Sequence, residues 1–336
     1  MRVYVPSAAQ CPLVTVYDSS IKGFVEHNSG GRIDWVLDPS DAEVIVIFEE
    51  WESRFWQYAN TLSGIGLLRT HWDRVFTINC DDLGRGHLPG LYTSLNTGNF
   101  DPAIHRACAY PYLYNNIAVD PAASLTRTPR WLFSFRGTDV SHSCRGRIFK
   151  LYSDHPLAKL VLVRTKFHGH SDEQKLAYID DILDSKFVLC PRGWSPATYR
   201  MFEVMELGRC PVIISDAWVP IRDVPWPKFS IVVAESEIPR LDAILAAREH
   251  EAQALGQAAR AAWERHFSDT SKFKSMMHSI LELREQPRAS FDAFQRRWSS
   301  WRFLQSNQWL PHQRMSMRIG KELNRVSQLI RQHTGR

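Results

Sequence analysis

Along the first third of the chain, short apolar runs alternate with polar stretches. VYVP near Val3, AEVIVIF from Ala42 to Phe48 and RVFTINC from Arg74 to Cys80 each have the length and residue types of one strand. Between the last two lies WESRFWQYANTLSG, which predicts a helix that stops at Gly64, so the segment reads as a β-α-β unit on a parallel sheet. DPAASLTRTPR, Asp120 to Arg130, is rich in Pro, Ser and Thr and reads as an interdomain linker. After it the alternation is clearer. WLFSFRG (Trp131 to Gly137), LVLVRT (Leu160 to Thr165), KFVLCPRG (Lys186 to Gly193), CPVIISD (Cys210 to Asp216) and FSIVVAE (Phe229 to Glu235) are continuous apolar runs, which predicts parallel strands buried on both faces. Helical spacing falls between them, over Glu173 to Leu183 and over Ala197 to Leu207, the latter ending at Gly208. The pattern predicts an α/β chain of two Rossmann-like domains, residues 1–125 and 126–285, followed by a helical tail over 286–336.

A doubly wound sheet places its ligand beyond the carboxyl ends of its strands, which points at Arg136, at the stretch Arg192 to Pro196 and at Asp216. The strongest local feature there is a strand, the turn CPRGWSP, and then the helix expected from Ala197. Unpaired main-chain N–H groups at a helix start after a glycine turn receive phosphate groups. Ser195 is placed to cap that helix and Pro196 suits its first turn. Arg200 and Glu203 stand three apart and so share a face, the first suited to phosphate oxygens and the second to ribose hydroxyls. A capped helix carrying an ordinary surface Arg–Glu pair has the same appearance.

Composition narrows the setting. The chain has 336 residues and a formal net charge of +5. From Arg284 onward about eleven Lys or Arg stand against about three acids, so the excess positive charge belongs to the tail. That tail interleaves Trp298, Trp301, Phe303 and Trp309 with arginines, which suits either an anionic bilayer surface or a helical hairpin packed on the body; nucleic acid is not expected as a partner. No apolar run has the length of a signal peptide or a membrane span, so the expected compartment is the cytoplasm, with peripheral contact at the inner face of the plasma membrane. The six cysteines are widely spaced, without a CxxC pair, and read as reduced thiols. His168 and His170 read as a solvated loop pair rather than metal ligands.

DDILDSKFVLCPRGWSPATYRMFEVMELGRCPVIISDAWVPIRDVPWPKFSIVV, Asp180 to Val233, resembles the signature block of the exostosin family, glycosyltransferase family 47. A serine, an apolar strand with C-P, a P-R-G turn, a serine, R-x-x-E and G-x-x-P-V-I occur there in the family's order and spacing. FSFRG, Phe133 to Gly137, followed by Arg145 or Arg147, is similar to the family's F-R-G strand end and downstream arginine. In the first domain FTINCDDLG, Phe76 to Gly84, resembles a strand ending in the family's H-D-W-G, with Cys80 or Asp81 where the histidine would stand. Ile221 after Pro220 also departs from the family's usual P-F.

The resemblance implies a GT-B fold and an inverting transferase that takes a UDP-sugar as co-substrate and requires neither a metal nor another cofactor. The sequence contains no D-x-D triplet, in keeping with the last point. An inverting transfer needs a base for the acceptor hydroxyl and cations for the departing diphosphate. On this reading Arg136, Arg200, Arg192 and Arg147 hold the diphosphate with the turn from Ser195 to Thr198, Glu203 anchors the ribose, and main-chain groups from Cys190 through Gly193 and Trp194 hold the base. Asp82 is the first choice for the acceptor base, with Glu49 and Glu50 as alternatives. The expected acceptor is a glycan or lipid-linked saccharide in surface polysaccharide or lipopolysaccharide synthesis. A non-catalytic nucleotide- or glycan-binding protein of the same fold is the alternative. A dehydrogenase is disfavoured, since neither Gly64-x-Gly66 nor Gly84-x-Gly86 completes a dinucleotide fingerprint.

Overall fold

The computed structural model describes residues 1–7, 9–11, 26–49, 55–82, 84–110, 119–123, 127–164, 170–298 and 300. Met1–Phe291 form one compact unit, and this unit contains two parallel sheets. The first is built from β1 (Arg2–Tyr4), β2 (Asp34–Trp35), β3 (Val44–Glu49), β4 (Val75–Asn79), β5 (Gly90–Tyr92) and β6 (His105–Ala107), in the order β2-β1-β3-β4-β5-β6. Helix α1, Phe55–Gly64, connects β3 to β4 and completes the expected β-α-β unit. The second sheet holds β7 (Trp131–Gly137), β8 (Ala158–Leu162), β9 (Ser185–Pro191), β10 (Cys210–Ile214) and β11 (Ile231–Val233), in the order β11-β10-β9-β7-β8. Two parallel α/β sheets are what the GT-B expectation requires.

The central strands are buried on both faces, which their unbroken apolar sequences require. The outer ones differ from the expectation. β8 runs over Ala158–Leu162, not from Leu160, and its side chains are only half-buried; β11 leaves Val232 exposed. Both are edge strands with a single neighbour, and β8 ends where its partner β7 ends, Gly137 opposite Leu162. β5 pairs tightly enough with β4 that only glycine fits at its start: a Cβ on Gly90, whose φ is +151°, would stand 2.1 Å from the Thr77 carbonyl oxygen.

Five helices position the second sheet's carboxyl edge or return the chain to the first sheet. In chain order after α1, α2 (Ser143–Tyr152) packs on one face of the second sheet and α3 (Asp172–Leu183) and α4 (Arg200–Glu206) on the other, while α5 (Ala252–His266) joins the first of these cores through Ala252 and Leu255 and the second through Ala259 and Ala262. Helix α6, Asp269–Arg284, then crosses back to the first sheet. It buries Phe273, Met276, Ile280 and Leu283, spaced as one helical stripe, against Val3, Val46, Phe76 and Ile78. Each such side chain contributes about 1.5–3 kcal/mol by leaving water. The sequence-based range 126–285 for the second domain therefore includes a helix that belongs to the core of the first sheet. Among the described residues no helix is long and apolar enough to cross a membrane. The tail's Trp301, Phe303 and Trp309 lie outside the described residues.

Candidate functional site

In the second sheet β7 has β8 on one side and β9 on the other, so the crevice beyond their carboxyl ends is a topological switch point. Four arginines converge on it. Arg136 comes from the end of β7 and Arg192 directly follows β9, while Arg145 projects from α2 and Arg200 opens α4.

Arg136 is matched in charge: its Nε donates at 2.7 Å to Oδ2 of Asp181, in the last turn of α3. Burial raises the Asp181 carboxyl above its usual range, while the Arg136 bond and charge act in the opposite direction. Arg192 lies 3.7 Å from Glu235, just beyond β11, and continues the sheet by donating its main-chain N–H to Ile214 O. Arg145 and Arg200 are different. Arg145 donates from Nε to Arg192 O at 2.9 Å and from Nη2 to Pro191 O at 3.2 Å. Arg200 donates from Nη2 to Arg136 O and from Nε to Tyr178 Oη at 3.4 Å. Both guanidiniums border the Phe135 ring, at 5.6 and 4.6 Å from its centroid. Neither forms an ion pair among the described residues. Burial, and next the Arg200 charge, bring the Arg145 guanidinium down to about 10. Arg200 Nη1 and Arg192 Nε are buried without a hydrogen-bond partner, as are the hydroxyls of Ser141 and Ser215. Unsatisfied buried donors are costly. Two neighbouring half-buried cations, one of them with a buried donor to spare, form a cradle suited to a multiply charged anion.

Gly193 makes the approach possible. A Cβ there would stand 3.0 Å from Arg145 Nη2 and 3.3 Å from Ser141 Oγ. Two expectations about the following turn are corrected. Helix α4 begins at Arg200, three residues after the expected Ala197, and its N-cap is Tyr199, without a side-chain cap bond. Ser195 does not cap it: its Oγ accepts from Ala197 N at 3.1 Å and shares a hydrogen bond with Ser94 Oγ. Pro196 has no N–H to continue a helical ladder, and the first helical bonds run to Thr198 O and Tyr199 O. Thr198 thus contributes a main-chain carbonyl to the start of α4, and an anion-binding helix terminus at Ser195 is not formed.

Glu203, the expected ribose anchor, is half-buried. It accepts the Tyr178 hydroxyl at 2.5 Å, and burial raises its carboxyl above the ordinary value. The Cys190 thiol is buried in the β9 core and pushed up to about 12 by burial. Trp194 is 39% exposed at the mouth of the turn. Of the two arginines that fitted the downstream position, Arg145 enters the cradle and Arg147 is exposed, its Nη1 donating to Glu235 O.

On the first-sheet side Asp82 is exposed, and its charge acts on buried groups of the crevice: it opposes the lowering of Arg145 and adds to the burial that raises Tyr110. Tyr110 stacks on Tyr199 with centroids 3.7 Å apart and hydrogen-bonds Ser94, so the two sheet edges face one another here. Glu49 is 1% exposed. It accepts from Asn79 Nδ2 at 2.5 Å, and burial raises its carboxyl despite bonds from Tyr58, Asn79 and Thr77. Such enclosure removes it from contact with an acceptor. Glu50 and His168 lie outside the described residues. Tyr178 and Asp181 were not singled out from the sequence; their spacing of three on a helix that precedes the signature strand was the available signal.

The model of the exostosin GT47 domain matches residues 57–247, more than half of the chain and the span that carries all four arginines. The chain belongs to the exostosin GT47 family. Among curated exostosin-family relatives, it is 38% identical over 224 residues to the probable glucuronosyltransferase GUT1 of Oryza sativa subsp. japonica, covering 57% of this chain and 49% of that one. It is 33% identical over 186 residues to the probable beta-1,4-xylosyltransferase IRX10L of Arabidopsis thaliana, covering 48% and 41%. The chain thus spans less than half the length of either plant exostosin. Among solved structures, that of TarM aligns with a TM-score of 0.41 at 10% identity, over 72% of this chain and 54% of that one.

Proposed function

We propose that this exostosin-family chain is an inverting glycosyltransferase that takes its sugar from a UDP-sugar. The observation that carries the reading is the Arg145–Arg200 pair at the switch point, half-buried, outside any ion pair among the described residues, and with Arg200 Nη1 buried and lacking a partner. The diphosphate of the donor supplies the missing negative charge. In the transfer an acceptor hydroxyl oxygen bonds to the anomeric carbon from the face opposite the diphosphate. The bond from that carbon to the diphosphate oxygen breaks, UDP departs against the two guanidiniums, and the hydroxyl proton passes to the Asp82 carboxylate. The guanidiniums stabilise the charge that develops on the leaving group, so the step proceeds without a metal ion. The acceptor is a glycan or lipid-linked saccharide of surface polysaccharide synthesis, met at the cytoplasmic face of the membrane with the basic, Trp-rich tail on the bilayer. The relatives' names, glucuronosyl- and xylosyltransferase, favour a uronic acid or pentose as the donor sugar.

Calorimetry with UDP, GDP and CMP, with and without EDTA, tests the nucleotide and the metal independence. Selective UDP binding that survives EDTA and weakens in Arg145→Ala is expected. Transfer from UDP-glucuronate or UDP-xylose to an oligosaccharide, with the product anomer read by NMR, then tests the inversion. UDP binding indifferent to Arg145, or a product of retained configuration, overturns this function.

A further inference from the structure

The sequence suggests that Glu203 meets the donor's ribose, but the structure engages it elsewhere. Its carboxylate accepts the Tyr178 hydroxyl, and Tyr178 in turn accepts from Arg200 Nε. The same guanidinium carbon lies over the Tyr178 ring, 5.4 Å from its centroid, and over the closer Phe135 ring at 4.6 Å. Arg200 Nη2 is fixed by the Arg136 carbonyl. Two of the three guanidinium nitrogens are therefore set by protein groups, and the third, Nη1, is left buried and unpartnered. One turn along α3, Asp181 fixes Arg136, whose carbonyl is the group that receives Arg200. A residue at i and one at i+3 on a single helix face thus orient two neighbouring arginines.

We propose that Tyr178, braced by Glu203, is the positioning residue for Arg200: it holds the guanidinium edge-on so that Nη1 points at the bound diphosphate, and Glu203 acts through Tyr178 rather than on the ribose. This rests on the proposed diphosphate site. The physical basis is preorganisation. An arginine side chain has many rotamers, and fixing it before the ligand arrives removes an entropic cost of binding. Tyr178→Phe keeps the ring beneath the guanidinium and removes only the hydroxyl that receives Nε and bonds Glu203.

The test uses two probes on the full chain, UDP and inorganic pyrophosphate, the second of which has no ribose or base. Tyr178→Phe is expected to weaken both by about five- to tenfold. Glu203→Ala is expected to weaken pyrophosphate as well as UDP, while Glu203→Gln, which keeps an acceptor for the phenol, restores most of the binding. In an Arg200→Ala background Tyr178→Phe is expected to change neither affinity, because its whole effect passes through Arg200. A Glu203→Ala variant that loses UDP but binds pyrophosphate as the wild type does would restore the ribose role and overturn the proposal. So would a Tyr178→Phe effect that persists without Arg200, or a Tyr178→Phe variant with wild-type affinities. Pyrophosphate binding without preference for UDP would sink the donor assignment instead, and the positioning of Arg200 would still be read from the pyrophosphate arm. Binding of neither probe overturns both.

Discussion

The carboxyl edges of the two sheets carry opposite charge: a buried carboxyl stands at the first and half-buried guanidiniums at the second. At the first, Glu49 Oε2 accepts from Asn79, whose Oδ1 receives the Asp81 N–H at 3.2 Å, while Glu49 Oε1 is buried without a hydrogen-bond partner. At the second, Arg145 and Arg200 donate to main-chain carbonyls and a phenol, while Arg200 Nη1 and Arg192 Nε lack partners. The first edge holds a spare acceptor sealed inside the core, out of reach of a ligand. An edge that keeps buried donors in reserve beside a crevice is shaped for something that arrives. The difference separates the acids of the first edge too, since Glu49 is consumed by the fold and the exposed Asp82 is presented to the crevice.

The sharpest way to break that comparison is to neutralise the two acids in turn. Asp82→Asn is expected to lower the transfer rate by about a hundredfold or more, the range for losing a general base, with UDP affinity nearly unchanged. Glu49→Gln keeps the acceptor for Asn79 and is expected to retain the rate. The measurement is single-turnover transfer beside calorimetry. A Glu49→Gln variant as slow as Asp82→Asn would mean that the buried acid takes part in the chemistry.

Smaller effects are expected among the arginines. Arg200→Ala and Arg145→Ala each remove charge-assisted donors to the diphosphate and are expected to weaken UDP about tenfold or more. Arg136→Ala is expected to lower the unfolding temperature more than either, because it leaves the Asp181 carboxylate, 11% exposed, without its partner. Equal losses of affinity and stability at all three positions would erase the distinction between a matched and an unmatched arginine. A differential scanning trace for each variant, run beside its UDP titration, reads both quantities.

Much of this was legible in the chain. Unbroken apolar runs marked β3, β4, β7, β9 and β10, because strands buried on both faces have no other way to read. The signature block named Arg192 and Arg200, and the strand end FSFRG named Arg136. What was not legible has identifiable causes. The two-residue β2 and three-residue β5 and β6 exist through their parallel partners and carry too little local pattern. The start of α4 moved to Arg200 because Ser195 was taken into a turn and into contact with Ser94, 101 positions away in the sequence. Nothing local distinguishes Arg145 from Arg147. Only the docking of α2 beside β9 turns the first toward Gly193 and the second toward Glu235. The role of Glu203 depends on Tyr178, which is 25 positions away on another helix.

The smallest effect separates the edges by pH. Burial holds the Glu49 carboxyl above its ordinary value in the folded protein, and its hydrogen bonds only partly offset that. The folded state therefore binds this proton more tightly than the unfolded chain does. The stability it contributes is fully present below the ordinary carboxylate range and is lost as pH rises through the folded value, at up to about 1.4 kcal/mol per pH unit in that window. Glutamine at this position carries no titrating proton, so Glu49→Gln lacks the loss. Urea unfolding of both proteins from about pH 4 to about pH 8 is expected to show the wild type losing ground to the variant as pH rises. A constant difference across that range would mean that the Asn79, Tyr58 and Thr77 bonds fully stabilise the carboxylate. Glu49 would then be an ionised group held ready within the first edge, and the contrast with Asp82 would rest on exposure alone.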